Sequence, residues 1–170
     1  YYYPLWRTWF GLHGLCKLIW NDVVPADNSK YAPQEAAKVP GHVEDFFKFY
    51  EGVLGKPIDE QGMLDESARV HNLQRIMCIM MGVGTRKDDM PPYRAVGPVT
   101  AEEYESRAER YDTQLKEKAG FDPAGKTTEE KMKALREYRM DQYNKALDAA
   151  YERRGWNKNG IPKVERLKEL

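Results

Sequence analysis

Apolar and polar positions alternate at helical spacing over most of this chain, and nowhere at the two-residue spacing of a half-buried strand. Residues 1–24 are aromatic and apolar with glycine breaks, a pattern that predicts loop and buried turn. Pro25 to Pro40 is a proline-punctuated polar connector, expected to cross the surface irregularly. From His42 to Leu54, Val43, Phe46, Phe47, Phe49, Tyr50, Val53 and Leu54 recur every three or four residues and predict an amphipathic helix ended at Gly55-Lys56-Pro57. A second helix is expected from Leu64 to Met81. Its last part, Ile76-Met77-Cys78-Ile79-Met80-Met81, is apolar all round and so is expected to be buried on all sides.

Gly82-Val83-Gly84 breaks that helix, and Asp88-Asp89-Met90-Pro91-Pro92 must be extended or turn, because residues before proline avoid the helical region. Thr100 with Glu103 reads as a capping box opening a helix to about Ala119, with Gly120 as its stop. After a turn at Asp122-Pro123-Ala124-Gly125, a second box, Thr127 with Glu130, opens a long helix. Met132, Leu135, Tyr138, Tyr143, Ala146, Leu147, Ala150 and Tyr151 lie along its stripe, Arg153 and Arg154 complement the dipole at its end, and Gly155 supplies a left-handed stop. A short helix from about Lys163 to Leu170 closes the chain. The expected fold class is all-α.

The 27 basic and 27 acidic side chains balance to zero net charge, which argues against a dedicated binder of nucleic acid or anionic membrane. No apolar run approaches the roughly 20 residues that span a bilayer. No secretory leader is visible, and with two cysteines, Cys16 and Cys78, a reducing cytoplasm is the simpler expectation. The opening Tyr1-Tyr2-Tyr3-Pro4 lacks an initiator methionine and reads as cut from something longer.

Candidate chemistry centres on His13-Gly14-Leu15-Cys16. Glycine lets backbone approach a bulky group, and the neighbouring thiolate is a soft ligand suited to iron–sulfur clusters. On these residues alone, a buried cysteine in a tight helical corner is the simpler reading. A four-iron cluster takes four thiolates, so this chain cannot assemble one by itself. Cys78, in the all-apolar helix end, reads as a core residue. His13 is expected either to donate to a cofactor or to satisfy a backbone carbonyl. His42 and His71 lack a second histidine at metal-site spacing and read as structural or solvated. Asp88 and Asp89 are expected to cap amides and to pair with Arg75, Arg86 or Arg94 rather than to act as an acid/base pair. Met77, Met80 and Met81 read as core, and Trp156 as a plug against the core that anchors the tail.

Cys16, the blocks Asn72-Leu73-Gln74-Arg75 and Thr85-Arg86-Lys87-Asp88-Asp89-Met90-Pro91, and the tail Arg154-Gly155-Trp156-Asn157-Lys158-Asn159-Gly160-Ile161-Pro162 occur in the order found in the C-terminal part of the aldehyde ferredoxin oxidoreductase family. The chain resembles that family over essentially its whole length. The resemblance implies a helical C-terminal domain of a larger multidomain enzyme, divided into a cofactor-proximal segment, residues 1–24, and a helical domain, residues 25–170. It implies a tungsten (or molybdenum) bis-pterin and a 4Fe-4S cluster, both shared with upstream regions. In the family an Asp-x-x-Gly-Leu-Cys stretch supplies the fourth cluster cysteine and touches a pterin. Gly14, Leu15 and Cys16 match it, whereas the aspartate position falls on Gly11. An Arg-Glu-Gly of the family is replaced by Met80-Met81-Gly82, with one extra residue before Arg86.

The implied site residues are therefore His13, Gly14, Leu15 and Cys16 at the cofactors, with Cys16 the metal ligand. No catalytic residue is assigned within the chain. The implied activity is oxidation of an aldehyde to its acid, with ferredoxin or another electron-transfer subunit as partner and a homo- or hetero-oligomer as assembly. The departures keep a second activity open, reduction of an aromatic acyl-CoA by the tungsten subunit of an ATP-independent benzoyl-CoA reductase. A third reading, of another class, is a non-catalytic helical scaffold or docking module in which Cys16 is core. This chain isolated from its upstream regions is expected to be inactive.

Overall fold

The computed structural model describes residues 2–15 and 41–170. All regular structure among them is helical, apart from one isolated antiparallel bridge between Trp156 and Pro162.

The first helix, α1 (Tyr2–Leu12), corrects the expectation of loop and turn for its residues. Its breaks are harmless where they fall. Pro4 lies in the first turn, where no backbone donor is lost, and Gly11 is on the exposed side. Leu5, Trp6, Trp9 and Phe10, spaced one and four apart, are all buried along one face. They pack on α3 (Glu60–Met80), whose Met63 is fully enclosed. Against the same aromatic cluster α2 (Gly41–Leu54) turns Phe46, Phe47 and Tyr50, while its Phe49 and Val53 remain 70% and 81% exposed.

Helix α3 is opened by Asp59, whose carboxylate accepts the Gly62 N–H at 2.8 Å. Its C-terminal end corrects a second expectation. Met77, Met80 and Met81 are exposed rather than buried, at 53%, 82% and 69%. The side of α3 that carries Asn72 and Arg75 is covered by the tail; among the described residues nothing comparable covers the methionines. Cys78 is half-buried, packed so closely under the following turn that a side chain at Gly84 would sit 2.7 Å from its Cβ.

The single helix expected from Thr100 to Ala119 is broken at Ser106-Arg107 into α4 (Ala101–Glu105) and α5 (Ala108–Gln114). The latter continues into a π-helical turn, Leu115–Ala119, and ends at Gly120 with φ +64°. Thr100 accepts the Glu103 N–H, but the Glu103 carboxylate takes the Val99 N–H at 3.0 Å, one residue before the reciprocal position of a capping box. The second box is complete: Thr127 and Glu130 exchange both bonds at the start of α6 (Thr128–Arg154). Tyr104, Tyr111, Leu115 and Leu135 form a second buried cluster between α4, α5, the π turn and α6. After Gly155, at φ +69°, the chain loops through the Trp156–Pro162 bridge into α7 (Val164–Glu169).

Candidate functional site

The end of α1 shows how the sequence closes the helix at Gly14 and Leu15. The Leu15 N–H reaches back to the Phe10 carbonyl at 2.9 Å, a six-to-one closure with Gly14 at φ +69° just past the helix. Gly14 is thus required by helix termination. Among the described residues nothing lies within 4 Å of where its Cβ would stand, so none of them blocks an approach to this stretch of backbone.

His13 hangs from that last turn. Its Nδ1 lies 2.9 Å from the Trp9 carbonyl, so this nitrogen carries a proton and donates. Its Nε2 faces Glu66 Oε2 at 3.8 Å, and the ring is sandwiched between Trp9 and Tyr50, with centroids at 4.5 and 5.1 Å. The histidine satisfies a carbonyl through Nδ1 and turns Nε2 towards Glu66.

Glu66 is the organising group that reading the sequence missed. From α3 it accepts the Trp9 indole N–H at 3.0 Å and the Tyr50 hydroxyl at 2.7 Å, so one carboxylate ties three helices together. The bond to this carboxylate, and after it the burial of the phenol, raise the Tyr50 pKa. The signal lay in its position, four residues before Val70 on a helix whose neighbouring Met63 and Ser67 are core, but no local rule names its partners. Beside it opens a cavity of about 430 Å³, lined by Trp9, His13, Leu15, Phe46, Tyr50 and Leu54 among others. The walls are apolar and aromatic, with the His13 ring and the Tyr50 hydroxyl as their polar groups, an arrangement suited to enclosing an apolar group.

Of the sequence-predicted site residues, the structure brings His13, Gly14 and Leu15 to one helix end beside this cavity. Cys16 lies outside the described residues, as does the Pro25–Pro40 connector. Among the described residues no group of three His, Cys, Asp or Glu side chains is placed to hold a metal ion. The described part of the run offers the Gly14–Leu15 backbone and the His13 imidazole as polar groups at this helix end.

Asp88 and Asp89 have the structural roles expected of them. Asp88 caps its own turn, accepting the Thr85 N–H and hydroxyl at 2.9 and 3.0 Å, and these bonds lower its pKa. Asp89 binds both terminal nitrogens of Arg75 and accepts the Tyr151 hydroxyl, while its backbone carbonyl accepts the Tyr143 hydroxyl. Burial opposes the Asp89 charge, but the bonds from Arg75 and Tyr151 hold its carboxyl below the usual range. Burial and the bond to Asp89 push Tyr151 up to about 12. Trp156, 8% exposed, donates its indole N–H to Asn72 Oδ1 at 2.9 Å and anchors the tail as expected. His71 is held between Thr8 and Arg154.

A family model described as "Aldehyde ferredoxin oxidoreductase, domains 2 & 3" matches residues 1–170. No curated protein and no solved structure matches the chain. No helix among the described residues is long and apolar enough to cross a membrane.

Proposed function

We propose, because this chain belongs to the aldehyde ferredoxin oxidoreductase family, that it forms the carboxyl-terminal helical part of a tungsten-pterin, iron–sulfur oxidoreductase. The observation that carries this reading is the family match over the whole chain, which includes the sequence Gly14-Leu15-Cys16. Cys16 would donate its thiolate to a four-iron cluster whose other cysteines lie upstream. His13, Gly14 and Leu15 would border the pterin. When bound, these groups supply the two-electron substrate chemistry and a one-electron exit.

The chain's own residues bind and orient. The Gly14 turn fixes the direction in which the run leaves α1, Glu66 holds Trp9 and Tyr50 as the wall behind it, and the aromatic cavity excludes water from that side. The reaction is oxidation of an aldehyde and water to a carboxylic acid, releasing two electrons and two protons, with ferredoxin or another electron-transfer subunit as acceptor. Gly11 at the aspartate position and the exposed Met80-Met81 pair at the Arg-Glu position favour a second reading, reduction of an aromatic acyl-CoA.

The test is anaerobic purification of the full-length protein and its Cys16→Ser variant. Iron content and cluster spectra are expected to fall in the variant while tungsten is retained. Unchanged iron and spectra overturn the ligand assignment and leave a helical scaffold. Turnover of an aldehyde with reduction of ferredoxin, against turnover of an aromatic acyl-CoA, separates the two activities.

A further inference from the structure

We propose that His71 is an acid-sensitive latch that holds α1 against α3 and α6 only while its imidazole is neutral. The geometry admits one protonation state. His71 Nδ1 lies 3.1 Å from Arg154 Nη1. A guanidinium has only donors, so Nδ1 must accept, and the ring proton belongs on Nε2. That nitrogen is 2.8 Å from Thr8 Oγ1 and 3.4 Å from the Pro4 carbonyl. The Thr8 hydroxyl donates to the Pro4 carbonyl at 2.9 Å, which leaves its lone pairs to receive the Nε2–H. One unbroken chain of donors therefore runs from Arg154 on α6, through His71 on α3, to Thr8 and Pro4 on α1.

The surroundings oppose a second proton. Arg154 faces the ring from α6 and Arg166 from α7, sharing one cleft with His71. Arg75 of α3 and Asp89 of the following turn share the other cleft with Tyr151, and the aspartate is committed to Arg75 and Tyr151. On α1 the charged residue is Arg7. Burial, then the Arg154 charge, lower the His71 pKa, against a smaller opposing effect of the Pro4 carbonyl. Protonation sets an N–H on Nδ1 against a guanidinium N–H. The ring must then abandon Arg154 or turn away from Thr8, and either breaks the chain of donors.

The sign follows from linkage. A histidine whose folded pKa lies below the ordinary 6.5 leaves docking at full strength above that value and weakens it as pH falls through the depressed one. Glu66 grips α1 at Trp9, and His71 grips it at the neighbouring Thr8 and, one turn earlier, at Pro4. Mild acid therefore loosens the polar hold on the first turns of α1, leaving its buried Leu5 and Trp6 to hold it alone. The inference holds whatever Cys16 binds.

Two measurements on the full-length protein test it. Nitrogen NMR of the histidine rings is expected to show His71 protonated on Nε2 alone and titrating below 6.5. A ring titrating at or above that value, or protonated on Nδ1 near neutrality, overturns the latch. Amide exchange of residues 2–12, corrected for the intrinsic pH dependence of exchange, is expected to show the opening constant rising by up to about tenfold per pH unit below 6.5. His71→Gln, which keeps a donor for Thr8 without a titration, is expected to flatten that slope. A slope that survives in His71→Gln refutes the proposal; should that variant fail to fold, the ring titration of the unaltered protein decides.

Discussion

At the scale of single residues, Asp89 carries the largest concentration of polar contacts described. Its partner Arg75 is 11% exposed and also donates Nε to the Gly160 carbonyl at 2.8 Å. Removing the guanidinium strands a mostly buried carboxylate, and breaking such a pair from one side costs about 3 kcal/mol. Arg75→Met is therefore expected to lower the unfolding free energy by about that amount in urea titration. Because the folded Asp89 pKa is depressed, its contribution is fully present above the ordinary 3.8 and is lost as pH falls through the folded value. The acid limb of stability is expected to flatten in the variant. That the aspartates serve structure was legible from their place before Pro91-Pro92. Which arginine serves which was not: Arg75 takes Asp89, Arg86 crosses to Asp148 and Asn144 on α6, and Arg94 goes to Glu103. Those choices depend on where α4 and α6 run, and no spacing rule contains that.

At the scale of elements, the caps were readable because their chemistry is local. Thr127 with Glu130, Gly120 and Gly155 all stand where sequence places them. Two glycines with the same backbone sign should nevertheless respond differently. At Gly120 a Cβ meets nothing within 4 Å among the described residues, so Gly120→Ala is expected to cost only left-handed strain, about 1 kcal/mol. At Gly155 a Cβ would stand 2.7 Å from Arg166 Cγ, so Gly155→Ala adds a collision with α7 and is expected to cost at least twice as much by thermal denaturation. The helix least readable was α1. Its Leu5, Trp6, Trp9 and Phe10 face was hidden in a stretch apolar on nearly every side, so periodicity had no contrast to report. Gly14 was readable as a special glycine, but its first duty, closing α1, became clear only once the helix existed.

At the scale of the molecule, two aromatic clusters sit at either end of a polar joint formed by Asn72, Arg75, Asp89, Tyr151 and Trp156. Composition alone cannot say which side of a helix a neighbouring element covers, and the methionine end of α3 was misread for that reason. With Met80 82% exposed, Met80→Gln is expected to change the stability of this chain by less than about 0.5 kcal/mol, whereas a core methionine would cost several-fold more. A large loss in denaturant titration would mean that this flank is covered after all.

The looped tail behaves as a keystone. Gly160 hands its carbonyl to Arg75, Trp156 fills the gap over Asn72, and the carbonyl of Leu170 receives Arg69. Shortening the polypeptide from its carboxyl end should therefore not be gradual in effect. Deletion back to Arg154 removes no part of α6, yet it unroofs the middle of α3, and solubility and cooperative melting are expected to fail together at that cut.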